Sequence, residues 1–163
     1  GEYPLHLGVT EAGTAYTGLV KSSVGIGALL LDGIGDTIRV SLTADPVEEI
    51  RAAKTLLRCL GIRKDGIEII SCPTCGRTTT DTVSLASYIE KTFSNIKEHI
   101  KIAVMGCVVN GPGEARDCDF GITGINGNYA IFKNGKVEKT VKESEIYSVI
   151  NEEIKEVLKK GKL

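Results

Sequence analysis

The order of strand-like and helix-like segments most constrains the fold of this 163-residue chain. In its first half a strand, a helix and a second strand are expected at residues 5–9, 14–31 and 37–42. Asp45 then provides an N-cap, Pro46 occupies the first helical position, and Gly61 is suited to end this second helix. An apolar run at residues 67–70 is the next strand. The repeated strand–helix order implies parallel strands joined by right-handed crossovers, so we predict an α/β fold.

The second half continues with mixed elements. A helix, a strand and the two strands of a hairpin are expected at residues 82–97, 101–105, 129–133 and 136–141. Asn134-Gly135 is a strong signal for the tight turn of that hairpin, and Ser144 begins a final amphipathic helix. The most plausible domain boundary lies at residues 63–66, after the second helix.

Composition excludes several classes of protein. Hydrophobic residues make up 42% and charged residues 25%, as in ordinary globular proteins. The net charge of −1 gives no electrostatic reason to expect nucleic acid or a membrane surface as a partner, and no apolar run approaches the roughly 18–20 residues of a membrane span. Five cysteines without a signal peptide favour a reducing, cytoplasmic compartment. The chain opens at Gly1 and its one methionine is Met105, which is explained either by excision of an initiator methionine or by the chain being a fragment.

Three cysteines follow predicted strands. Cys72 and Cys75 form a Cys-x-x-Cys motif directly after the strand at residues 67–70, and Cys107 follows the strand at residues 101–105. If these strands are neighbours, three thiolates reach one sheet edge, and Glu114 brings a carboxylate close to them. Three cysteines favour an iron–sulfur cluster with an oxygen ligand or an open position on one iron. Zinc and redox-active thiols remain alternatives.

The other two cysteines are interpreted differently. Cys59 lies at a helical position among leucines, which predicts a buried core thiol. Cys118 stands between Asp117 and Asp119, whose carboxylates are expected to raise the pKa of its thiol. We therefore place neither cysteine in the site.

A second group of polar residues occupies the strands of the first half. His6 lies inside the first strand and Thr10 and Glu11 at its end, while Arg39 and Ser41 share one face of the second strand. Ligands of βα folds bind at the carboxyl ends of strands, and an arginine with hydroxyls is suited to a phosphate. The alternative is that Thr10 and Glu11 only begin the following helix.

Four long motifs resemble the 4-hydroxy-3-methylbut-2-enyl diphosphate synthase family. They are LHLGVTEAG, KSSVGIGALLLDGIGDTIRVSLTADPVEEI, CPTCGRT and MGCVVNGPGEARDCDFGITG, in the order of the family. The resemblance spans nearly the whole chain and weakens after about residue 125. It implies the last two βα units of a TIM-type (β/α)8 barrel in residues 1–63. An α+β iron–sulfur cluster domain, resembling those of sulfite and nitrite reductases, is implied in residues 64–163.

The resemblance also implies a reaction, partners and roles for residues. The family reductively opens 2-C-methyl-D-erythritol 2,4-cyclodiphosphate with two electrons from flavodoxin or ferredoxin, as a homodimer in the bacterial cytoplasm. The implied ligands of a [4Fe-4S] cluster are Cys72, Cys75, Cys107 and Glu114. The implied substrate residues are His6, Thr10, Arg39, Ser41 and Asn110, and Glu11 is implied in proton transfer.

The chain departs from the family in extent, since most of the barrel is missing from it. We therefore expect it to be inactive alone. An electron-transfer or zinc-binding module without substrate chemistry is the alternative from another class. A cluster domain serving a siroheme-type reductase is disfavoured, because the HLGVTEAG motif belongs with the barrel.

Overall fold

The structure is a computed structural model that describes residues 3–109, 113 and 116–161. The chain forms two compact units, one ending at Lys64 and the other beginning at Asp65. Within the described ranges, no helix combines the length and the apolar character needed to cross a bilayer.

The first unit is a two-stranded parallel sheet with two helices. Its elements are β1 (His6–Gly8), α1 (Ala15–Leu31), β2 (Thr37–Arg39) and α2 (Pro46–Cys59). Leu7 pairs with Ile38 at the centre of the sheet. The predicted strand–helix order and parallel pairing are confirmed, although both strands are shorter than the apolar runs suggested.

Both helices cover the same face of this sheet. The core joins Leu7 of β1 and Val40 after β2 to Ile26 of α1 and to Ala52 and Leu56 of α2. Because side chains alternate along a strand, the residues between these core positions lie on the opposite face. We call this opposite face the polar face, and its residues are His6, Gly8, Thr10, Thr37, Arg39 and Ser41.

Local sequence signals define the start of α2. The Asp45 carboxylate accepts a hydrogen bond of 2.8 Å from the amide of Val47, and Pro46 follows it as the first helical residue. Glu48 does not complete the capping box that its spacing suggests, because its carboxylate pairs with Arg51 one turn later. The N-cap that the sequence predicts is therefore present: the Asp45 side chain caps the helix, but the Glu48 side chain does not contribute.

The second unit is a five-stranded sheet with helices. Its elements are β3 (Ile67–Ser71), α3 (Thr82–Thr92), β4 (Ile100–Met105), β5 (Phe120–Ile125), β6 (Asn128–Lys133), β7 (Lys136–Val141), a 3-10 turn (Glu143–Glu145) and α4 (Ile146–Lys160). The strand order is β3-β4-β5-β6-β7. Strands β3, β4 and β5 pair in parallel, whereas β6 pairs antiparallel with both β5 and β7. The hairpin at Asn134-Gly135 is confirmed, with both residues at positive φ.

Two elements differ from the prediction. Helix α3 ends at Thr92, about one turn before the expected end at residue 97, because Phe93 closes it and a turn carries Ile96 onto the core. Strand β5 was not predicted from the sequence. Asn126-Gly127, at positive φ, turns β5 into β6 and was the missed hairpin signal.

One face of this sheet carries the main core. Buried side chains of β4, β5 and β6 pack there against Leu85 and Ile89 of α3 and against Ile150 and Ile154 of α4. The other face carries a smaller cluster in which Ala103, Met105 and Phe132 are buried. The sheet is thus a rigid support for the residues that follow its strands.

Candidate functional site

The two strands that precede the three cysteines are parallel neighbours. Strands β3 and β4 pair in register from Ile67 with Ile100 to Ser71 with Val104. Cys72 follows β3 immediately and Cys107 lies two residues after β4. The adjacency that the sequence argument required is therefore present. We call this edge, with Cys72, Cys75 and Cys107, the cysteine edge.

Cys72 is held by the backbone on both of its sides. Its amide donates to the carbonyl of Val104 at 3.4 Å, which extends the pairing of β3 with β4. The amide of Gly106 donates to its sulfur, Sγ, at 3.3 Å. The half-buried side chain also packs against the smaller apolar cluster of the sheet. Cys72 is thus fixed in position by Val104 of β4 and by Gly106, which follows that strand.

Cys75 lies in a turn that ends at Thr78. The amide of Thr78 donates to the carbonyl of Cys75 at 2.9 Å, and the amide of Cys75 donates to the hydroxyl oxygen of Thr78 at 3.1 Å. The thiol is exposed. Hydrogen bonds from the backbone and then the side chain of Arg77 lower its pKa below the ordinary value of 9.0. Cys75 is therefore a thiol in a polar setting that favours the thiolate.

Of the two remaining predicted ligands, the structure describes only Cys107. Cys107 is half-buried, while Asn110 and Glu114 lie outside the described residues. In the part of the chain that the structure describes, no three His, Cys, Asp or Glu side chains form a group that could hold a metal ion. The structure thus brings the three thiols to one edge without gathering them around one point.

The donor set of the cysteine edge nevertheless fits an iron–sulfur group. Thiolates are the ligands that such clusters use, and amide groups that donate to ligand sulfurs are a recognised influence on their potentials. The Gly106 amide already donates to Cys72, and Arg77 to Cys75. The chemistry present at this edge is therefore compatible with a cluster.

The two cysteines outside the site have different environments. Cys118 is buried in the smaller apolar cluster, and this burial, more than Asp119 and Asp117, raises the pKa of its thiol; Lys101 opposes the shift. The predicted direction is thus right, with a different main cause. Cys59 is exposed near the end of α2, so the prediction of a buried core thiol was wrong. Leu56 takes the buried position on that helix instead.

Arg39 and Gly8 pair across the polar face of the first unit. A Cβ atom added at Gly8 would lie 3.1 Å from Nη2 and 3.2 Å from Nε of Arg39, so the guanidinium lies directly over this glycine. On the same face, Nδ1 of His6 and the hydroxyl of Thr37 are 2.7 Å apart. The predicted face shared by Arg39 and Ser41 is present, because Ile38, Val40 and Leu42 alternate with them into the core.

Thr10 and Glu11 follow β1 without beginning the helix. Helix α1 starts at Ala15 after Thr14, so the alternative that these two residues only start the helix is wrong. Both side chains are exposed, and Glu11 has a positive φ of 54°. Such a backbone is uncommon for a residue with a side chain and is enriched at functional sites. The carbonyl of Gly13 accepts a 2.9 Å hydrogen bond from Thr43, which ties this loop to the one after β2.

Sequence reasoning missed the residues that support the thiols. Arg77, Thr78 and Gly106 adjoin the cysteines, and the letters CGRT and MGC held the signal. Their role depends on the close approach of two loops, which spacing along the chain does not reveal.

Two family patterns match the chain. The GcpE TIM-barrel domain matches residues 1–54, and the GcpE protein C-terminal domain matches residues 68–156. These matches fall in the first and the second compact unit, respectively.

Curated relatives match over nearly the whole chain. A protein of Caldanaerobacter subterraneus subsp. tengcongensis is 56% identical over 158 residues, which cover 97% of this chain and 44% of the relative. A protein of Clostridium tetani is 57% identical over 155 residues, with 95% and 44% covered. One of Clostridium perfringens is 60% identical over 144 residues, with 88% and 41% covered. All three are described as 4-hydroxy-3-methylbut-2-en-1-yl diphosphate synthase (flavodoxin), and the chain spans less than half of their length.

Proposed function

The chain belongs to the GcpE protein family, and from this premise we propose that it is the C-terminal part of a 4-hydroxy-3-methylbut-2-en-1-yl diphosphate synthase. The proposed reaction is the reductive ring opening of 2-C-methyl-D-erythritol 2,4-cyclodiphosphate. The observation that best supports it is the adjacency of β3 and β4, which brings Cys72, Cys75 and Cys107 to one edge.

The proposed cofactor is a [4Fe-4S] cluster held by these three thiolates and Glu114. When bound, such a cluster supplies single-electron transfer and an iron that acts as a Lewis acid. The chain's own contribution is to fix the position of Cys72, through the Gly106 amide that donates to its sulfur, and to favour the thiolate of Cys75 through Arg77. Glu114 and Asn110, which lie outside the described residues, are proposed as a fourth ligand and as a substrate contact.

The polar face is proposed to hold the diphosphate. Arg39 offers a planar, permanently charged donor set that suits phosphate oxygens, and Ser41, Thr10 and His6 add hydrogen-bonding groups around it. The guanidinium of Arg39 is exposed, and Gly8 beneath it has no side chain that would crowd it. This face would thus bind and orient the anionic part of the substrate.

Glu11 is proposed to hold a proton for the reaction. The product has one oxygen atom fewer than the substrate, so two electrons and two protons enter and one oxygen leaves as water. The exposed carboxyl of Glu11 lies in the loop after β1, next to Thr10, and His6 is on the strand that leads into this loop. A carboxyl group at that position can deliver a proton to a leaving oxygen.

The proposed partners follow from the relatives. Their description names flavodoxin, which would supply the electrons, with ferredoxin as the alternative donor. We also propose a homodimer, in which the cluster domain of one subunit serves the barrel of the other, in the bacterial cytoplasm. A reducing compartment suits the free thiols at the cysteine edge.

The test uses the whole protein, purified without oxygen. We expect about four irons and four sulfides per chain, an EPR signal after reduction, and turnover of the cyclodiphosphate with reduced flavodoxin. Zinc without sulfide would overturn the proposal and favour a zinc-binding module.

The fourth ligand has its own test. We expect Glu114→Ala to assemble some cluster and to lose turnover, because three thiolates remain while one iron loses its ligand. Glu152→Ala, at an exposed position of α4, is the matched control. Wild-type turnover in Glu114→Ala would remove that residue from the site.

A further inference from the structure

Thr78 contacts both halves of the cysteine edge. Its amide and its hydroxyl form the two hydrogen bonds to Cys75, at 2.9 and 3.1 Å, which close the turn after the Cys-x-x-Cys motif. Its side chain also faces Gly106, the residue before Cys107, since a Cβ added at Gly106 would lie 2.7 Å from Oγ1 of Thr78. One half-buried threonine therefore lies between the loop of Cys75 and the strand end that leads to Cys107.

The next residue extends this contact. The amide of Thr79 donates to the carbonyl of Gly106 at 3.1 Å, while the amide of Gly106 donates to the sulfur of Cys72 at 3.3 Å. Gly106 thus forms one hydrogen bond through its carbonyl, with Thr79, and another through its amide, with Cys72. These two hydrogen bonds, and the approach of Thr78 to Gly106, join segments that are more than 25 residues apart along the chain.

We infer that Thr78 is a positioning residue that fixes the loop of Cys75 against the strand end bearing Cys107, and so sets the spacing of the three thiols for the iron–sulfur group. This inference rests on the proposed function of the cysteine edge. Thr78 itself supplies no ligand; its hydroxyl holds the Cys75 amide, and its contact with Gly106 keeps the two loops together. Loss of the hydroxyl removes the hydrogen bond to the Cys75 amide and loosens the turn, while the hydrogen bonds of the Thr78 amide and of Gly106 remain.

The choice of threonine follows from these contacts. The hydroxyl oxygen accepts from the Cys75 amide, and serine would preserve this bond. Valine keeps the shape of the side chain against Gly106 but removes the acceptor, which leaves the Cys75 amide without its partner. The pair Thr78→Val and Thr78→Ser therefore separates the hydrogen bond from packing. Thr140→Val, at an exposed position on β7, is a matched control for the substitution itself.

The first measurement is made on the reduced, metal-free chain. Hydrogen exchange followed by NMR should show the Cys75 amide exchanging roughly tenfold faster in Thr78→Val than in the wild type, because one hydrogen bond is lost. Thr78→Ser and Thr140→Val should keep the wild-type rate. An unchanged Cys75 rate in Thr78→Val would overturn the inference.

The second measurement is made on the whole protein after anaerobic reconstitution. We expect Thr78→Val to retain less than half of the wild-type iron and sulfide after a chelator challenge, and Thr78→Ser to retain the wild-type amount. Wild-type retention in Thr78→Val would also overturn the inference. If the wild-type protein takes up no cluster at all, the proposed function fails, whereas the role of Thr78 in holding the loop is still decided by the exchange rates.

Discussion

Glu153 of α4 and Lys133 at the end of β6 form an ion pair of 2.7 Å, in which the glutamate side chain is only 3% exposed. The Nζ atom of Lys133 lies against Oε2 of the Glu153 carboxylate. Lys139 of β7 pairs with the other carboxylate oxygen at 2.8 Å. Lys133 also contacts Glu138 and Glu156. This network fastens the last helix to the hairpin.

The network predicts a dependence of stability on pH. Burial alone would raise the pKa of Glu153, but Lys133 and Lys139 outweigh it and hold the pKa below 4.5. Bonds from Lys160 and Lys133 lower the pKa of the exposed Glu156 to about 2. A carboxyl group with a lowered pKa in the folded state stabilises the protein fully above its unfolded pKa, and this contribution disappears as the pH falls through the folded pKa.

We expect Glu153→Gln to lower the free energy of unfolding at neutral pH by about 2–3 kcal/mol, because it leaves two lysines without a buried partner. The difference from wild type should shrink as the pH falls below 4.5 and through the lowered pKa of Glu153, because the wild-type carboxylate then takes up a proton and loses its charge. Urea unfolding of the reduced, metal-free chain measures both effects. Glu152→Gln, on the exposed side of α4, should show neither. A pH-independent difference would contradict the role of charge.

The approach of Thr78 to Gly106 gives a second prediction. Gly106→Ala places a methyl group 2.7 Å from the Thr78 hydroxyl, so the metal-free chain should lose about 1–3 kcal/mol of unfolding free energy through overpacking. Gly76 lies in the loop that carries Thr78, and a methyl group added there has no atom within 4 Å, so Gly76→Ala should be close to neutral. The free energies of unfolding are compared by urea titration. Equal values for the two variants would contradict the prediction, because they would show that Gly106 and the loop of Thr78 can move apart without loss of stability.

A third prediction concerns Arg39 in the whole enzyme. Gly8→Ala forces the guanidinium of Arg39 to shift, since the methyl group would lie 3.1 Å from Nη2. We expect KM for the cyclodiphosphate to rise about tenfold, equivalent to about 1.4 kcal/mol of binding energy, with a smaller change in kcat. Steady-state kinetics decide it. Gly27→Ala, whose methyl group would meet only Leu60 at 4.0 Å, should leave KM unchanged. A KM equal to the wild-type value in Gly8→Ala would argue against diphosphate binding at Arg39.

The exposed edges of the first unit predict self-association of the 163-residue chain. In the described part of the chain, β1 and β2 pair only with each other, so each strand has one edge without a strand partner, and such edges are prone to pair with another copy. Light scattering over a concentration series should show dimers or larger species. Val24→Lys, on the exposed side of α1 at 68% exposure, should not change this if the strand edges carry the contact. A monomer at every concentration would contradict the prediction.

The sequence alone determined the elements whose signals are local. Asp45-Pro46 begins α2 and Asn134-Gly135 turns the hairpin, because caps and tight turns depend on only a few adjacent residues. Apolar periodicity predicted α2, α3 and α4, since each covers one side of a sheet. The Cys-x-x-Cys motif, and its position after a strand, could likewise be read directly.

Tertiary structure decided which distant residues meet. Strand β5 escaped prediction partly because Gly121 and Gly124 weaken its pattern. The structure supplies a reason for Gly124, since a Cβ there would lie 2.6 and 2.5 Å from the hydroxyl oxygens of Thr79 and Thr80. Similarly, Thr78 acquires its role only when β3 and β4 become neighbours and bring its loop to Gly106. Such contacts are set by strand order and packing, which a local sequence pattern does not encode.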